Sequence, residues 1–330
     1  MRVEVSAALT WPCAALREAD LAARTTLRVG GRAEWLLEPA HPDEFVAAWN
    51  AARERGFEPR VLGGGANLLL PDGLLAGVVI TTERMGRVFR PRPESDSDGG
   101  VHEGAEFAPL LPALVPLERG EDTRLVAWAG CTLPALVRIT RDLGWSGFEG
   151  LAGVPGHLGG GVAMNAGGRY GATWDVVEGV RVLAPDGSVR QLARAQCAPR
   201  YRDANLGGAI VLGAVLRFRA DERAAVKERV QTYLREKSAA QPVSEHSCGC
   251  VFKNPERERS GGRTAGQLIE AAGAKGLARG DAIVSEKHGN FIVNRGRARA
   301  ADVLALIDEV RARVADRFGI ELENEVKVWR

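Results

Sequence analysis

The sequence has no uninterrupted apolar run long enough to span a bilayer, and its first residues contain no apolar signal core. The formal net charge is only +2, which argues against a dedicated nucleic-acid-binding protein. The five cysteines are an odd number without the spacing of a disulfide framework, so free thiols are expected. These absences favour a cytoplasmic enzyme that neither inserts into a membrane nor binds nucleic acid.

The sequence gives little evidence for a metal site. Cys248 and Cys250 form a Cys-x-Cys pair, but neither a second pair nor a His cluster accompanies it, so no metal is predicted. With 330 residues the chain is long enough for two or three domains. The chain is rich in glycine, with 40 residues, and many of them are clustered. Clustered glycine indicates backbone that passes close to a ligand.

Two glycine clusters are candidates for phosphate recognition. Residues 62–67 read Leu-Gly-Gly-Gly-Ala-Asn, and their successive N–H groups could form an anion-binding nest, although a plain turn explains them equally well. Residues 150–171 are richer in glycine but are not a Walker loop, because no Gly-Lys-Ser/Thr follows. They are not a dinucleotide fingerprint either, because no strand leads into a Gly-x-Gly-x-x-Gly that opens a helix. Two such loops suit a long ligand with a central pyrophosphate.

A third stretch, residues 248–255 (Cys-Gly-Cys-Val-Phe-Lys-Asn-Pro), places a thiol three residues before an ammonium. The flanking glycine and proline favour a tight loop over a helix interior. A positive charge on Lys253 close to Cys250 would favour the thiolate. A small buried cysteine in a turn is the simpler interpretation of Cys-Gly-Cys taken alone.

Between these motifs the pattern mixes helices with short strands and is not a regular βαβ series. Residues 91–104 are polar and rich in turn formers, which predicts an exposed loop. Capping residues predict helices over 41–56, with Pro42 in the first turn, and over 133–143, between the caps Thr132 and Gly144. Further helices are predicted over 221–237, 264–272 and 300–318, the last with an apolar stripe from Val303 to Phe318. Strands are predicted over 78–80, 125–129, 210–218, 291–293 and 325–329, and a hairpin over 176–192.

With these motifs in this order, the chain resembles the UDP-N-acetylenolpyruvoylglucosamine reductase family, flavoenzymes of peptidoglycan precursor synthesis. The resemblance runs from residues 25–31 (Thr-Thr-Leu-Arg-Val-Gly-Gly) through both glycine clusters, 201–203 (Tyr-Arg-Asp), the Cys250 stretch and 288–294 to 322–326 (Leu-Glu-Asn-Glu-Val). It implies an α+β fold with a vanillyl-alcohol-oxidase-type FAD-binding domain. Two α+β subdomains, 1–80 and 81–220, would precede a C-terminal α+β substrate-binding domain, 221–330, whose last strand carries Glu325 back toward the flavin.

The resemblance also implies the reaction. NADPH reduces non-covalently bound FAD, and UDP-N-acetylglucosamine enolpyruvate then takes the place of NADP. Flavin N5 delivers hydride to the enolpyruvyl methylene carbon, a protein acid protonates the neighbouring carbon, and the product is UDP-N-acetylmuramate. We expect a monomer or weak oligomer. The segment between Phe218 and Cys250 leaves no room for the substrate-clamping tyrosine insertion of one subclass, so the chain resembles the shorter subclass, and Tyr233 is not given that role.

The family's functional residues carry over to matching positions. Cys250 stands where the commonest form of the family has its proton-donating serine, and Arg202 and Glu325 complete the catalytic set. Burial would favour a protonated Glu325, and Lys253 should point away from a thiol that must keep its proton. The cofactor loops are matched by Gly63, Gly64, Gly65, Ala66, Asn67, Val154, Pro155, Gly156, Gly160 and Asn165, and the substrate diphosphate and uridine by Asn254, Lys275 and His288.

Simpler alternatives remain open from the residues alone. Arg202 could form a structural ion pair with Asp203, and Glu325 could be a solvated charge near the terminus. His288 could be an ordinary core or surface histidine, and Lys275 a turn residue. At the level of function, the chain could be another FAD oxidoreductase acting on a hydroxy acid or alcohol, or a non-catalytic flavin or UDP-sugar binding protein.

Overall fold

A computed structural model describes residues 10–90 and 122–330 of the chain. Within these ranges the secondary structure forms three successive units, each a small sheet with its own helices. The loop predicted over 91–104 lies outside the described residues. In the described part of the chain, no helix combines the length and apolar character needed to cross a membrane.

The first unit is a four-stranded sheet covered by one helix. Its elements are β1 (Ala14–Asp20), β2 (Arg32–Glu38), α1 (Pro42–Glu54), β3 (Arg60–Leu62), β4 (Leu68–Leu69) and β5 (Leu74–Thr81). The spatial order is β1-β2-β5-β3, antiparallel for the first pair and parallel for the others. The predicted start of α1 is confirmed, because Pro42 stands in its first turn and the His41 ring accepts the Asp43 N–H at 3.1 Å.

The second unit is a five-stranded antiparallel sheet. Its elements are β6 (Val88–Phe89), β7 (Arg124–Trp128), α2 (Leu133–Leu143), β8 (Trp145–Ser146), α3 (Leu158–Ala163), β9 (Gly167–Gly168), β10 (Gly171–Ala172), β11 (Val177–Leu183), β12 (Val189–Ala193), α4 (Arg194–Cys197), β13 (Ile210–Arg217) and β14 (Arg219–Ala220). The order is β12-β11-β13-β7-β6. The Thr132 hydroxyl accepts the Ala135 N–H at 3.1 Å, and Gly144 ends α2 at φ 69°, so both predicted caps are confirmed.

The third unit is a four-stranded sheet with several helices, and a long, largely exposed helix leads into it. Its elements are α5 (Arg223–Ala240), β15 (His246–Cys250), α6 (Arg257–Ser260), α7 (Ala265–Ala271), β16 (Ala278–Arg279), β17 (Ala282–Val284), β18 (Phe291–Asn294), α8 (Ala300–Phe318) and β19 (Lys327–Val328). The sheet order is β15-β18-β17-β16. Along α8 the predicted apolar stripe is buried from Val303 to Val314, while Phe318 is only partly covered.

The closing strand is shorter than predicted. β19 covers only Lys327–Val328 and pairs in parallel with β4, so Glu325 precedes the strand rather than lying in it. The partner limits its length, because β4 is bounded by the first glycine cluster on one side and by Pro71, which has no N–H to donate, on the other. The short pairing still brings the C-terminus to the first glycine cluster.

The third unit docks on the first through a helix cap. The two carboxylate oxygens of Asp72 accept the N–H groups of Ala300 at 2.5 Å and Ala301 at 3.2 Å, at the start of α8. A negative charge is favoured there because the first N–H groups of a helix lack partners within it. Nearby, the Asn294 side chain donates to the Leu27 carbonyl at 3.1 Å. The two units are therefore joined by satisfied polar groups.

Asp72→Ala should lower the free energy of unfolding by about 1–2 kcal/mol, because two N–H groups of α8 lose their acceptors. Urea unfolding followed by circular dichroism measures the change. Asp308→Ala is the matched control: its side chain is 74% exposed in the middle of the same helix, so its effect should stay within about 0.5 kcal/mol. Indistinguishable unfolding curves for the two variants would contradict the cap.

Candidate active site

The two glycine clusters meet backbone to backbone. A side chain added at Gly64 would place its first carbon 2.7 Å from Gly156 Cα and 2.9 Å from His157 N. At Gly156 the same carbon would lie 3.2 Å from the Ala66 methyl. Gly65 and Gly156 also have φ of +58° and +108°, which side-chain-bearing residues rarely adopt. The contact between the loops therefore requires glycine.

Beside this contact, both loops leave open backbone. At Gly63 and Gly160 a first side-chain carbon would meet no described protein atom within 4 Å. Bare backbone of this kind can approach a ligand closely and offer N–H groups to phosphate oxygens. The residues present thus fit the predicted long ligand with a central pyrophosphate. Of the other predicted cofactor residues, Val154 is partly buried against the hydrophobic core of the second unit and Pro155 is exposed.

The two loop asparagines have partners within the protein. The Asn67 amide donates to the Glu325 carbonyl at 3.1 Å. The Asn165 amide donates to the Arg200 carbonyl at 3.0 Å and accepts the Trp174 N–H at 3.3 Å. Both side chains therefore tie a glycine loop to a segment that carries a catalytic candidate.

Arg202 lies in a tight turn held by the second loop. Its φ is +58°, a conformation uncommon for residues other than glycine and concentrated at functional sites. Its Nη1 donates to the Gly167 carbonyl at 3.0 Å, and its Nε lies 2.6 Å from Glu325 Oε1. The angle at Nε does not meet hydrogen-bond geometry, so the contact with Glu325 is an ion pair. The Asp203 carboxylate accepts the Asn205 N–H instead, and the alternative of an Arg202–Asp203 pair is wrong.

Glu325 is buried, with 8% of its surface exposed, so it is not a solvated charge near the terminus. Its N–H donates to the Val251 carbonyl at 2.8 Å, which places it beside the residue that follows Cys250. Burial raises the pKa of its carboxyl, and Arg202 only partly opposes that rise. The expectation that burial favours the protonated form is confirmed in direction.

Cys250 ends strand β15 and does not lie in a free loop as predicted. The pairing of β15 with β18 is interrupted between Ser247 and Cys250, where Gly249 has a φ of +79°. Burial first, and then the Glu325 carboxylate, raises the pKa of the Cys250 thiol to about 12, with Arg202 acting in the opposite direction. The thiol therefore keeps its proton at neutral pH, as a general acid must.

Lys253 does not favour the thiolate, contrary to the prediction from its spacing. Its ammonium forms an ion pair with Glu323 on the exposed side of the chain. The expectation that Lys253 points away from a proton-donating thiol fits this pairing. Cys248 is 2% exposed, and burial raises the pKa of its thiol to about 12 as well, but it lies in the core of the third unit.

The three predicted substrate residues gather around α7. The Asn254 side chain accepts the Ala265 N–H at 3.0 Å, where α7 begins. A side chain at Gly266 would come within 2.9 Å of the His288 ring, and Lys275 pairs with Glu270 at 2.8 Å. Burial, and then Lys275, lowers the pKa of His288, which keeps its ring neutral near pH 7. Their part in substrate binding stays a prediction.

Tyr201 was missed as a functional candidate. The Arg202 guanidinium lies over its ring, 5.0 Å from the centroid. Although 58% of Tyr201 is exposed, its hydroxyl interacts with the Asn254 backbone, and local desolvation and then the Glu325 carboxylate raise the pKa of its phenol. The only signal in the sequence was its position beside Arg202, because its distance from Asn254 depends on the folded chain.

Two bordering glycine loops, with a thiol, a guanidinium and a buried carboxylate converging beside them, are the arrangement expected of a flavin-dependent oxidoreductase. Comparisons with known proteins agree. Residues 115–193 match the model of an FAD binding domain, and residues 241–329 match that of the UDP-N-acetylenolpyruvoylglucosamine reductase C-terminal domain.

Whole-chain relatives narrow the class to one family. The chain is 38% identical to the UDP-N-acetylenolpyruvoylglucosamine reductase of Moorella thermoacetica, over 95% of this chain and 93% of that protein. It is 39% identical to that of Synechococcus elongatus, over 93% and 92%. The crystal structure of the enzyme from Thermus caldophilus superimposes with a TM-score of 0.72 at 33% identity, covering 96% of this chain and 98% of that one. The chain belongs to the UDP-N-acetylenolpyruvoylglucosamine reductase family.

This membership confirms the resemblance drawn from the motifs. The α+β fold class, with an FAD-binding region followed by a C-terminal domain, is confirmed by the two family models and the solved structure. FAD as the cofactor and oxidoreductase as the enzyme class are confirmed on the same grounds.

Alkylation of Cys250 by iodoacetamide should be slow near about pH 7 and accelerate about tenfold per pH unit well into the alkaline range, because only the thiolate reacts. The raised pKa, about 12, sets this direction, since the thiolate fraction keeps growing until pH reaches the pKa. Mass spectrometry of the Cys250 peptide measures the rate, and Cys250→Ser is the unreactive control. Rapid alkylation that levels off near pH 8–9 would contradict a half-buried thiol that retains its proton.

Proposed function

We propose that this chain reduces UDP-N-acetylglucosamine enolpyruvate to UDP-N-acetylmuramate, with NADPH as the hydride source. The observation that carries the proposal is the convergence of Arg202, Cys250 and Glu325 beside the two glycine loops in a member of this family. These three residues come from distant parts of the chain, and each supplies a different requirement of the reduction.

The glycine loops would hold the cofactor non-covalently. Gly63 and Gly160 supply open backbone, and the close contact between Gly64 and Gly156 fixes the position of one loop relative to the other. When bound there, FAD supplies the capacity to accept hydride from NADPH and pass it to the substrate. Residues 1–80 and 81–220 would form the cofactor subdomains, and 221–330 the substrate domain.

Arg202 would stabilise negative charge on the substrate carboxylate as it develops in the reduction. The guanidinium is already fixed by the Gly167 carbonyl, so it needs little reorganisation. Its present partner, Glu325, has a raised pKa and can take up a proton when a second carboxylate enters. Protonation of Glu325 would leave the positive charge of Arg202 to the substrate.

Cys250 would donate the proton that completes the reduction. Its thiol is protonated at neutral pH, and the proton passes to the substrate carbon next to the carboxylate, leaving a thiolate that Arg202 stabilises electrostatically. Because the Cys250 side chain is only partly buried, a thiolate with so high a pKa can regain a proton from solvent. The cysteine can therefore perform the task of the serine found in the commonest form of the family.

Binding of the UDP portion would fall to the residues around α7. Lys275 offers positive charge to the diphosphate, and Asn254 and His288 offer neutral polar groups. We expect the protein to act in the cytoplasm as a monomer or weak oligomer, without a nucleic-acid partner.

Cys250→Ala should slow turnover by roughly 10²–10⁴-fold with FAD content unchanged, as expected for loss of a positioned general acid. Cys250→Ser should keep partial activity, because a hydroxyl can also donate the proton. Steady-state kinetics and the flavin absorbance of the purified proteins provide both readouts. Cys248→Ala is the control and should remain active. Wild-type turnover by Cys250→Ala would remove Cys250 from the mechanism.

Arg202→Ala and Glu325→Gln should leave FAD reduction by NADPH largely intact but slow flavin reoxidation by the enolpyruvyl substrate, by about 10²–10³-fold for Arg202→Ala. Anaerobic stopped-flow absorbance separates the two half-reactions. Glu323→Gln is the matched control, since this carboxylate is 73% exposed two residues away and pairs with Lys253. Equal slowing of both half-reactions would argue against a role confined to the substrate.

A further inference from the structure

Thr26 connects the first glycine loop directly to the strand that carries Cys250. Its N–H donates to the Gly65 carbonyl at 3.2 Å. Its hydroxyl donates to the Ser247 carbonyl at 2.6 Å, and the Gly65 carbonyl is a more distant second acceptor at 3.4 Å. A hydroxyl has one hydrogen to donate, so the shorter contact takes it. One residue thus spans the gap between the cofactor loop and β15.

The Ser247 carbonyl, which Thr26 binds, lies at the start of an irregularity in β15 that determines the direction of the Cys250 side chain. Ser247 pairs with Val293 and Cys250 with Phe291, so β15 has one more residue between these pairs than its partner strand has. Such a bulge re-aims the side chains that follow it. At its turn, Gly249 faces the Ala66 carbonyl, 4.0 Å from where a side chain would begin. The Thr26 hydroxyl therefore holds the start of the bulge, and the turn of the bulge lies near the first glycine loop.

The segment that precedes Thr26 is itself held in place. A side chain at Gly65 would come within 2.3 Å of the Arg24 carbonyl, so the first glycine loop and the segment before Thr26 are in close contact. The Thr25 hydroxyl donates to the Ala22 carbonyl at 3.0 Å, within the same segment. If β15 were displaced, the hydrogen bond between Thr26 and Ser247 would therefore break, because residues 22–26 are held in place and would not move with the strand.

We propose that Thr26 is a positioning residue for proton transfer: its hydroxyl holds the start of the β15 bulge so that the Cys250 thiol is aimed at the substrate relative to the cofactor loops. The inference rests on the proposed role of Cys250 as proton donor. Thr26 touches neither reacting atom, and its effect passes through Ser247 and the bulge.

The test compares Thr26→Val, which keeps the shape but removes the hydroxyl, with Thr26→Ser, which keeps the hydroxyl. In Thr26→Val, FAD reduction by NADPH should stay within about twofold of wild type, while reoxidation by the enolpyruvyl substrate slows about 10–100-fold, since misplacement of a reacting group by about 1 Å has effects of this size. The solvent deuterium isotope effect on reoxidation should rise as protonation becomes limiting. Thr26→Ser should restore both values.

Thr123→Val is the matched control. Its hydroxyl also donates to a distant carbonyl, that of Phe218, at the same 2.6 Å, but within the second unit. It should leave both half-reactions and the isotope effect unchanged even if it lowers stability. If Thr26→Val does not retain FAD, Thr26→Ala undergoes the same comparisons.

A double-mutant cycle separates this proposal from that for Cys250. In the Cys250→Ala background, Thr26→Val should add no further slowing, because the group it positions is gone. Full additivity, or a Thr26→Val variant that reoxidises at the wild-type rate while Cys250→Ala is impaired, would overturn the role of Thr26 alone. Wild-type reoxidation by Cys250→Ala would overturn the proton-donor assignment and the role of Thr26 with it.

Discussion

The ion pair between Arg202 and Glu325 joins three parts of the molecule at one point. Arg202 comes from a turn held by the second glycine loop, whereas Glu325 comes from the C-terminus and is fastened to Val251 and Asn67. Removing both charges from water is costly, and a single imperfectly aligned contact does not satisfy all their polar atoms. Burial raises the pKa of the Glu325 carboxyl and Arg202 only partly opposes the rise, which under the proposed function would let Glu325 take up a proton when an anionic substrate enters.

The glycine loops impose a second constraint, which is steric. Their direct contact at Gly64 and Gly156 leaves no space for a side chain, while Gly63 and Gly160 beside it remain open. The same loops position the catalytic candidates, through Asn67 on the C-terminal segment and Asn165 on the turn before Arg202. The proposed cofactor loops and the catalytic candidates thus share one framework, so a change in either loop should affect both cofactor binding and the positions of these candidates.

Sequence patterns predicted a structural feature correctly where the interaction that fixes the feature lies within a few residues of it. The start of α1 and both caps of α2 were predicted correctly, because the capping group lies within a few residues of the N–H or carbonyl that it satisfies. The closing strand was predicted too long, since its length depends on β4, which is distant in the sequence. The effect of Lys253 on Cys250 was wrong for the same reason: proximity in sequence did not reveal that its ammonium pairs with Glu323.

The sequence by itself determined the family, the cofactor and the chemical types of the candidate catalytic groups, because ordered motifs in the sequence contain these residues. Only the tertiary structure decided which charges pair, which groups are buried and which proton is retained. Arg202 pairs with Glu325 rather than Asp203, and burial keeps Cys250 protonated. Pairing and pKa depend on distance and solvent access between segments that meet only after folding, and no local pattern encodes them.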